Sequence, residues 1–193
     1  MVESTTVAPT PAVVHAAGES VRGDLALTLL ANNKIKDYVV ATMALSTVPL
    51  PIVDLAGITL IQLRMVQKLS QLYGKPFSKE LGTSVLASLA GTFSGLAGGM
   101  AAVSLLKLVP GVGEAVALAG LPVATGAMTY AVGKVFVRHY EDGGSLLDLD
   151  TLTFKDFIAE QFETGKKLAH EARQQAKEKA KQAKKAAKSK PAA

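Results

Sequence analysis

The stretch LGTSVLASLAGTFSGLAGGMAAVSLL, Leu81 to Leu106, places 26 residues in a row without a charged side chain. About 20 predominantly apolar residues suffice to cross the hydrocarbon core of a bilayer, so its length permits a membrane span. Within it Gly91, Gly95 and Gly99 recur at four-residue intervals, which stacks them on one helical face where a neighbouring backbone can come into contact. This is a glycine zipper, and helix association within a membrane, inside one chain or between copies, is the functional reading. Tight packing in a soluble bundle is the alternative, although each mid-helix glycine there costs about 1 kcal/mol relative to alanine.

On the C-terminal side, Leu108-Val109-Pro110-Gly111-Val112-Gly113 reads as a turn, Glu114 falls at the next helix start, and Ala115 to Gly133 adds 19 uncharged residues before Lys134. The two apolar pieces predict a helical hairpin. On the N-terminal side, Leu55 to Tyr73 is amphipathic, with Ile58, Ile61, Met65, Leu69 and Leu72 at helical spacing and Gln62, Arg64, Gln67, Lys68 and Gln71 on other faces. Gly74-Lys75-Pro76 ends it. Asp54 opens it, where a carboxylate can accept from orphan amides, after Val48-Pro49-Leu50-Pro51 has broken a preceding helix over Lys34 to Thr47. A proline-containing break before an acid thus occurs twice, as in a weak internal repeat of two hairpins. Chance similarity explains it equally.

Glu141-Asp142-Gly143-Gly144 closes the apolar region. Thr153 with Asp156 resembles a capping box, and Phe154, Phe157, Ile158 and Phe162 form a stripe able to dock a last helix. Beyond Leu168 no large apolar residue remains. Gly165 to Lys190 holds ten Lys or Arg against Glu171 and Glu178, a local +8, so the remainder of this +5 chain stands near −3. The arm, with Lys177, Lys179, Lys181, Lys184, Lys185 and Lys188, is expected to project and to attract an anionic surface, or to serve only as a solubilising tail. No aromatic residue interleaves, so base stacking is unsupported and nucleic acid is a disfavoured partner. The expected organisation is all-α: a disordered tail over 1–23, a domain of two helical hairpins over 24–145 with the glycine-zipper hairpin as its second, and a long basic C-terminal helix that docks over 146–165 and becomes a free arm over 166–193.

Apolar residues make up 49% of the 193, and mean hydropathy is +0.27. Without cysteine there is no disulfide, thiolate metal site or cysteine nucleophile. The absence of tryptophan, with 5% aromatics, argues against ordinary spanning helices, which carry aromatic belts. Lys34, Lys36, Arg64, Lys68, Lys75, Lys79, Lys134 and Arg138 flank the apolar pieces and put both termini on the cytoplasmic side. The first residues lack the basic and apolar regions of a signal peptide. His15, His139 and His170 make no pair with metal-ligand spacing, and Gly126 with Gly133-Lys134 misses the phosphate-loop pattern. No cofactor or metal is expected. Asp54, Glu114 and Tyr130 are what remains for a catalytic pocket, and helix capping accounts for both acids more simply.

Pro49-Leu50-Pro51 followed by Asp54, Gln62-Leu63-Arg64-Met65 in a helix ending at Tyr73-Gly74, then Val109-Pro110-Gly111-Val112-Gly113 and Thr129-Tyr130-Ala131-Val132-Gly133 together resemble the bacterial family called domain of unknown function 697, over roughly Ile35 to Tyr140. Its members often follow an Era-like GTPase domain or occur in inner-membrane proteins, and no catalytic residues are established among them. The resemblance implies a helical, membrane-linked module partnering a GTPase. This chain has no GTPase domain, so nucleotide chemistry would belong to a separate partner. Two functions follow: a non-enzymatic scaffold of a bacterial cytoplasmic or intracellular membrane, in contact with lipids and self-associating through its glycines, or a soluble helical effector of a GTPase.

Overall fold

The computed structural model describes residues 11–46, 53–96 and 112–188, with side chains over 22–46, 56–92 and 120–185. Five helices account for them: α1 (Pro11–Leu45), α2 (Val53–Leu72), α3 (Lys79–Leu96), α4 (Val112–Glu141) and α5 (Lys155–Lys188). The all-α expectation holds. The break over 48–51, the part of the second break up to Gly111, Gly99 and the ends of the chain lie outside the described residues, while Val112 and Gly113, expected in the turn, already belong to α4.

α1 starts at Pro11, inside the stretch expected to be a tail, and a proline suits a first helical position because its missing N–H would have no partner there. Two glycines end helices as anticipated. Gly74 (φ 63°) follows α2, with the Gly74 amide donating to Gln71 O and the Lys75 amide to Ser70 O; Gly143 (φ 91°) follows α4, with the Gly143 amide donating to Tyr140 O and the Gly144 amide to His139 O. Each is a left-handed closure of the Schellman type. Ser78, a position the sequence reading did not single out, opens α3: its hydroxyl accepts from the Leu81 amide at 3.3 Å. The Thr153–Asp156 capping box does not form. Thr153 instead donates to Asp150 at 2.8 Å, because a turn over 151–154 precedes α5 and directs that hydroxyl backwards.

α4 is the hub, and its residues Ala127, Ala131, Val132, Val135, Phe136, Val137 and Tyr140 are buried on nearly every side. α1 and α5 run antiparallel to it and α2 parallel. α3 packs on α2 and marginally on α5. The first expected hairpin, α1 against α2, is present, whereas α3 and α4 make no substantial contact with each other among the described residues.

Small residues set the closest helix approaches. A Cβ at Gly165 would stand 2.9 Å from both Cα and O of Ala127, so α5 meets the backbone of α4 there. Gly126 leaves room for Met43 and Gly133 for Ile35, while Ala169 is buried beside Gly126. Ile158 is fully buried and Phe154, Phe157 and Phe162 pack around the core, so the aromatic stripe docks α5. α2 differs in detail from its expected wheel: Gln62 is buried with Leu63 and Val66, because both α1 and α4 press on that side.

The α4–α5 loop is tied internally. His139 Nε2 lies 2.8 Å from Ser145 O, and the Ser145 hydroxyl and amide each donate to Asp148 Oδ1 at 2.7 Å. Those two bonds hold the Asp148 carboxyl down at about 2.

Two outcomes follow from this packing. Gly165→Leu should destabilise the protein by about 2–3 kcal/mol in chemical denaturation, since the obstacle is backbone, whereas Gly91→Ala, with no described atom within 4 Å of the new Cβ, should be neutral or gain up to about 1 kcal/mol. Because the folded Asp148 carboxyl titrates below its unfolded value, its contribution is present above the unfolded pKa and lost as pH falls through about 2. Carboxyl NMR titration should show that low midpoint in the wild type and a rise toward the ordinary value in Ser145→Ala.

Candidate interaction surfaces

α4 is joined to α1 and α2 by hydroxyl and amide side chains spaced along its length. Thr125 Oγ1 donates to Ser46 Oγ at 3.1 Å, Gln62 Nε2 donates to Thr129 Oγ1 at 3.3 Å, and Ser70 and Tyr140 share a hydrogen bond of 2.8 Å. These groups are largely withdrawn from water, and pairing avoids the penalty of about 1–3 kcal/mol for leaving one unmade. Sequence reading assigned Gln62 to a polar face. A signal for the buried alternative is its i+4, i+8 alignment with Val66 and Ser70, both buried.

Between α4 and α5 lies a shallow cleft of about 290 Å³, lined by Tyr130, Lys134, Val137, Arg138, Glu141, Phe157 and Gln161. Its charges are engaged by the chain itself. Lys134 donates to Asn32 Oδ1 at 3.1 Å, Glu141 accepts from Thr28 at 2.7 Å and from Tyr73 at 3.0 Å, and the Arg138 guanidinium lies 5.6 Å from the Phe157 ring centre and 3.4 Å from Asp142. Burial, together with the neighbouring Glu141 carboxylate, pushes the Tyr73 phenol well above its usual range, so it serves as a hydrogen-bond donor. Tyr130 lines this cleft. Among the described residues no group of three or more His, Cys, Asp or Glu is placed to hold a metal ion.

Asp54 is the second residue of α2 and Glu114 the third of α4, both helix-start positions; their side chains lie outside the described set. Gly91 sits on α3 with no described atom within 4 Å of an added Cβ, Gly95 is in the last turn of α3, and Gly99 falls outside the described residues. No described helix is long and apolar enough to cross a membrane. The basic arm is helical and continuous with the docked part of α5. Burial stops at Ala169, Ala172 and Arg173 remain half-buried, and residues 174–185 are exposed, including Lys177, Lys179, Lys181, Lys184 and Lys185. Lys181 lies 2.9 Å from Glu178 on the arm's own surface, and Lys188 is the last residue of α5. The arm therefore packs against the body only up to about residue 173.

A curated relative in Magnetospirillum gryphiswaldense, magnetosome membrane protein 22, is 51% identical over 170 residues, covering 88% of this chain and 82% of the relative. No solved structure matches. The family model described as Domain of unknown function (DUF697) matches residues 25–167, which takes in α2, α3, α4, most of α1 and the first part of α5. The chain belongs to this family.

Proposed function

We propose that the protein is a non-enzymatic structural or scaffold protein of an intracellular membrane, anchored by its apolar region between Leu81 and Gly133, with the basic arm gripping an anionic surface or partner. The observation that carries the reading is its 51% identity, over 88% of its length, to a magnetosome membrane protein. The charge-free run from Leu81 to Leu106 supplies the physical means, since burying about one leucine side chain is worth roughly 1.5–3 kcal/mol and no buried charge opposes it. Gly91, Gly95 and Gly99 are helix-contact positions in this reading, within the chain or between copies, and no described atom lies within 4 Å of a Cβ added at Gly91. Asp54 and Glu114 act as helix-start carboxylates. Lys177, Lys179, Lys181, Lys184, Lys185 and Lys188 form the anionic-surface contact, and both termini face the cytoplasm, on the side of the flanking cations.

Fractionation of the full chain separates the two attachments. The wild type should remain in the membrane pellet after a carbonate wash, and so should a variant with the six arm lysines changed to glutamine. Val103→Asp combined with Leu106→Asp should move the protein to the supernatant. Recovery of the wild type in the supernatant would reject the proposal. Substitution is preferable to truncation after Phe162, which would remove Gly165 and Ala169 from the α4 interface.

A further inference from the structure

α5 is attached to α4 unevenly along its length. Over 155–162 the attachment is bulky: Ile158 is fully buried, Phe157 and Phe162 pack around the core, and Phe157 shares a cleft with Val137, Arg138 and Glu141. That is the charged end of α4, from Lys134 to Glu141. Beyond Gly165 the attachment thins. Among residues 166–173 Ala169 is the one fully buried side chain, with Leu168, Ala172 and Arg173 half-buried.

The thin part is also where the two helices differ most in charge. Gly165 stands against Ala127 and Ala169 against Gly126, so in antiparallel register residues 166–173 of α5 run beside roughly 120–127 of α4. That stretch of α4 carries no charge, whereas the stretch of α5 holds Lys166, Lys167, His170, Glu171 and Arg173. The other helices packed on α4 add none at this level: residues 38–46 of α1, placed by Met43 beside Gly126, and 56–63 of α2, placed by Gln62 against Thr129, are uncharged. From Arg173 α5 continues the same way to Lys188, about 22 Å further, through Lys177, Lys179, Lys181, Lys184 and Lys185.

An anchor that includes α4 up to Gly133 cannot take this neighbour with it. Each ionised side chain carried to the middle of a bilayer lowers partitioning roughly a hundredfold, and Lys166 with Glu163, 2.9 Å apart, neutralise only each other. Parting the two helices gives up the contacts of Leu168, Ala169 and Ala172, a smaller loss than several charges in lipid. Gly165 is the single glycine of α5, and so its residue most easily turned out of helical geometry. We infer that α5 beyond Gly165 is a strap, closed along α4 in water and parted from it when the apolar region enters lipid. The aromatic stripe keeps residues 155–162 seated, and the arm stays with headgroups and water. This rests on the membrane reading above and deepens it, since the anchored protein then differs from the closed bundle by the swing of one helix.

The chain has no cysteine, so two double-cysteine forms of the full chain test this with vesicles of phosphatidylglycerol and phosphatidylcholine. Nitroxides at Gly120→Cys, where no described atom lies within 4 Å of the new Cβ, and at Ala176→Cys, an exposed position, report the strap directly. Residue 176 lies about 16 Å along the helix past Gly165, so the distance between the labels should lengthen by roughly 15 Å between solution and vesicles. Gly126→Cys with Ala169→Cys locks the strap shut: a Cβ at 126 stands 3.3 Å from that of Ala169, near the separation a disulfide requires. With the disulfide formed, retention in the carbonate-washed vesicle pellet should fall about tenfold or more below that of the same protein reduced, given the charges held beside α4. Retention with an unchanged label distance, or equal retention of the oxidised and reduced forms, overturns the inference and leaves the membrane reading standing. Absence of the unaltered chain from the washed pellet overturns both. Should the approach of the new Cβ to Met43, at 2.8 Å, keep even the reduced form out of the pellet, the label distance alone decides.

Discussion

Everything in this fold depends on how closely other helices can approach α4. A helix buried on nearly every side must present surfaces that several neighbours can share, and bulky side chains all round would hold those neighbours apart. α4 meets the requirement with Gly126, Ala127, Ala131 and Gly133 interleaved among valines, and α5 meets it from the other side with Gly165 and Ala169. At Gly165 the contact is backbone to backbone, the shortest approach two helices can make. The remaining helices then take positions dictated by α4, with α1 filling its glycine notches and α2 bonded to its threonine and tyrosine hydroxyls.

That arrangement explains which features were legible in the chain and which were not. Helix ends were readable because they rest on local chemistry: a glycine at positive φ after α2 and another after α4 close those helices whatever packs around them. The aromatic stripe of α5 was readable for a similar reason, since four apolar residues on one face have few other destinations. The glycines were harder to rank. Gly91, Gly95 and Gly99 stand out by their regular spacing, whereas Gly57, Gly82, Gly126, Gly133 and Gly165 lie at no common interval, yet among the described glycines these five are the ones against which another helix packs. Spacing reveals a face within one helix. It carries no information about which two helices will meet.

Gln62 and Thr153 illustrate the same boundary. A glutamine among Arg64, Gln67 and Lys68 looks solvent-facing by composition, but α1 and α4 together enclose it, with Thr129 as its partner. Thr153 has the right neighbour for a capping box, but Asp150 lies nearer in the turn that the loop adopts. In both cases tertiary context decides between two locally acceptable hydrogen bonds. The basic arm is closer to its expectation, since a segment without large apolar residues has little to bury: Ala169 is buried and Ala172 and Arg173 half-buried, so the free part starts later than residue 166, and residues 174–185 stand exposed.

The short loop between α4 and α5 acts as a latch for more than its own conformation. At Gly144 an added Cβ would fall directly on the imidazole of His139, a ring that also lies edge-on to Phe154 at 5.9 Å. Phe154 precedes the first turn of α5, so the seating of the whole last helix is referred back to a position with no side chain at all. Damage at residue 144 would be transmitted along a rigid rod and surface tens of ångströms away, as a mis-aimed cluster of lysines whose own chemistry is intact. In a genetic screen such a lesion would be mistaken for a fault in the arm.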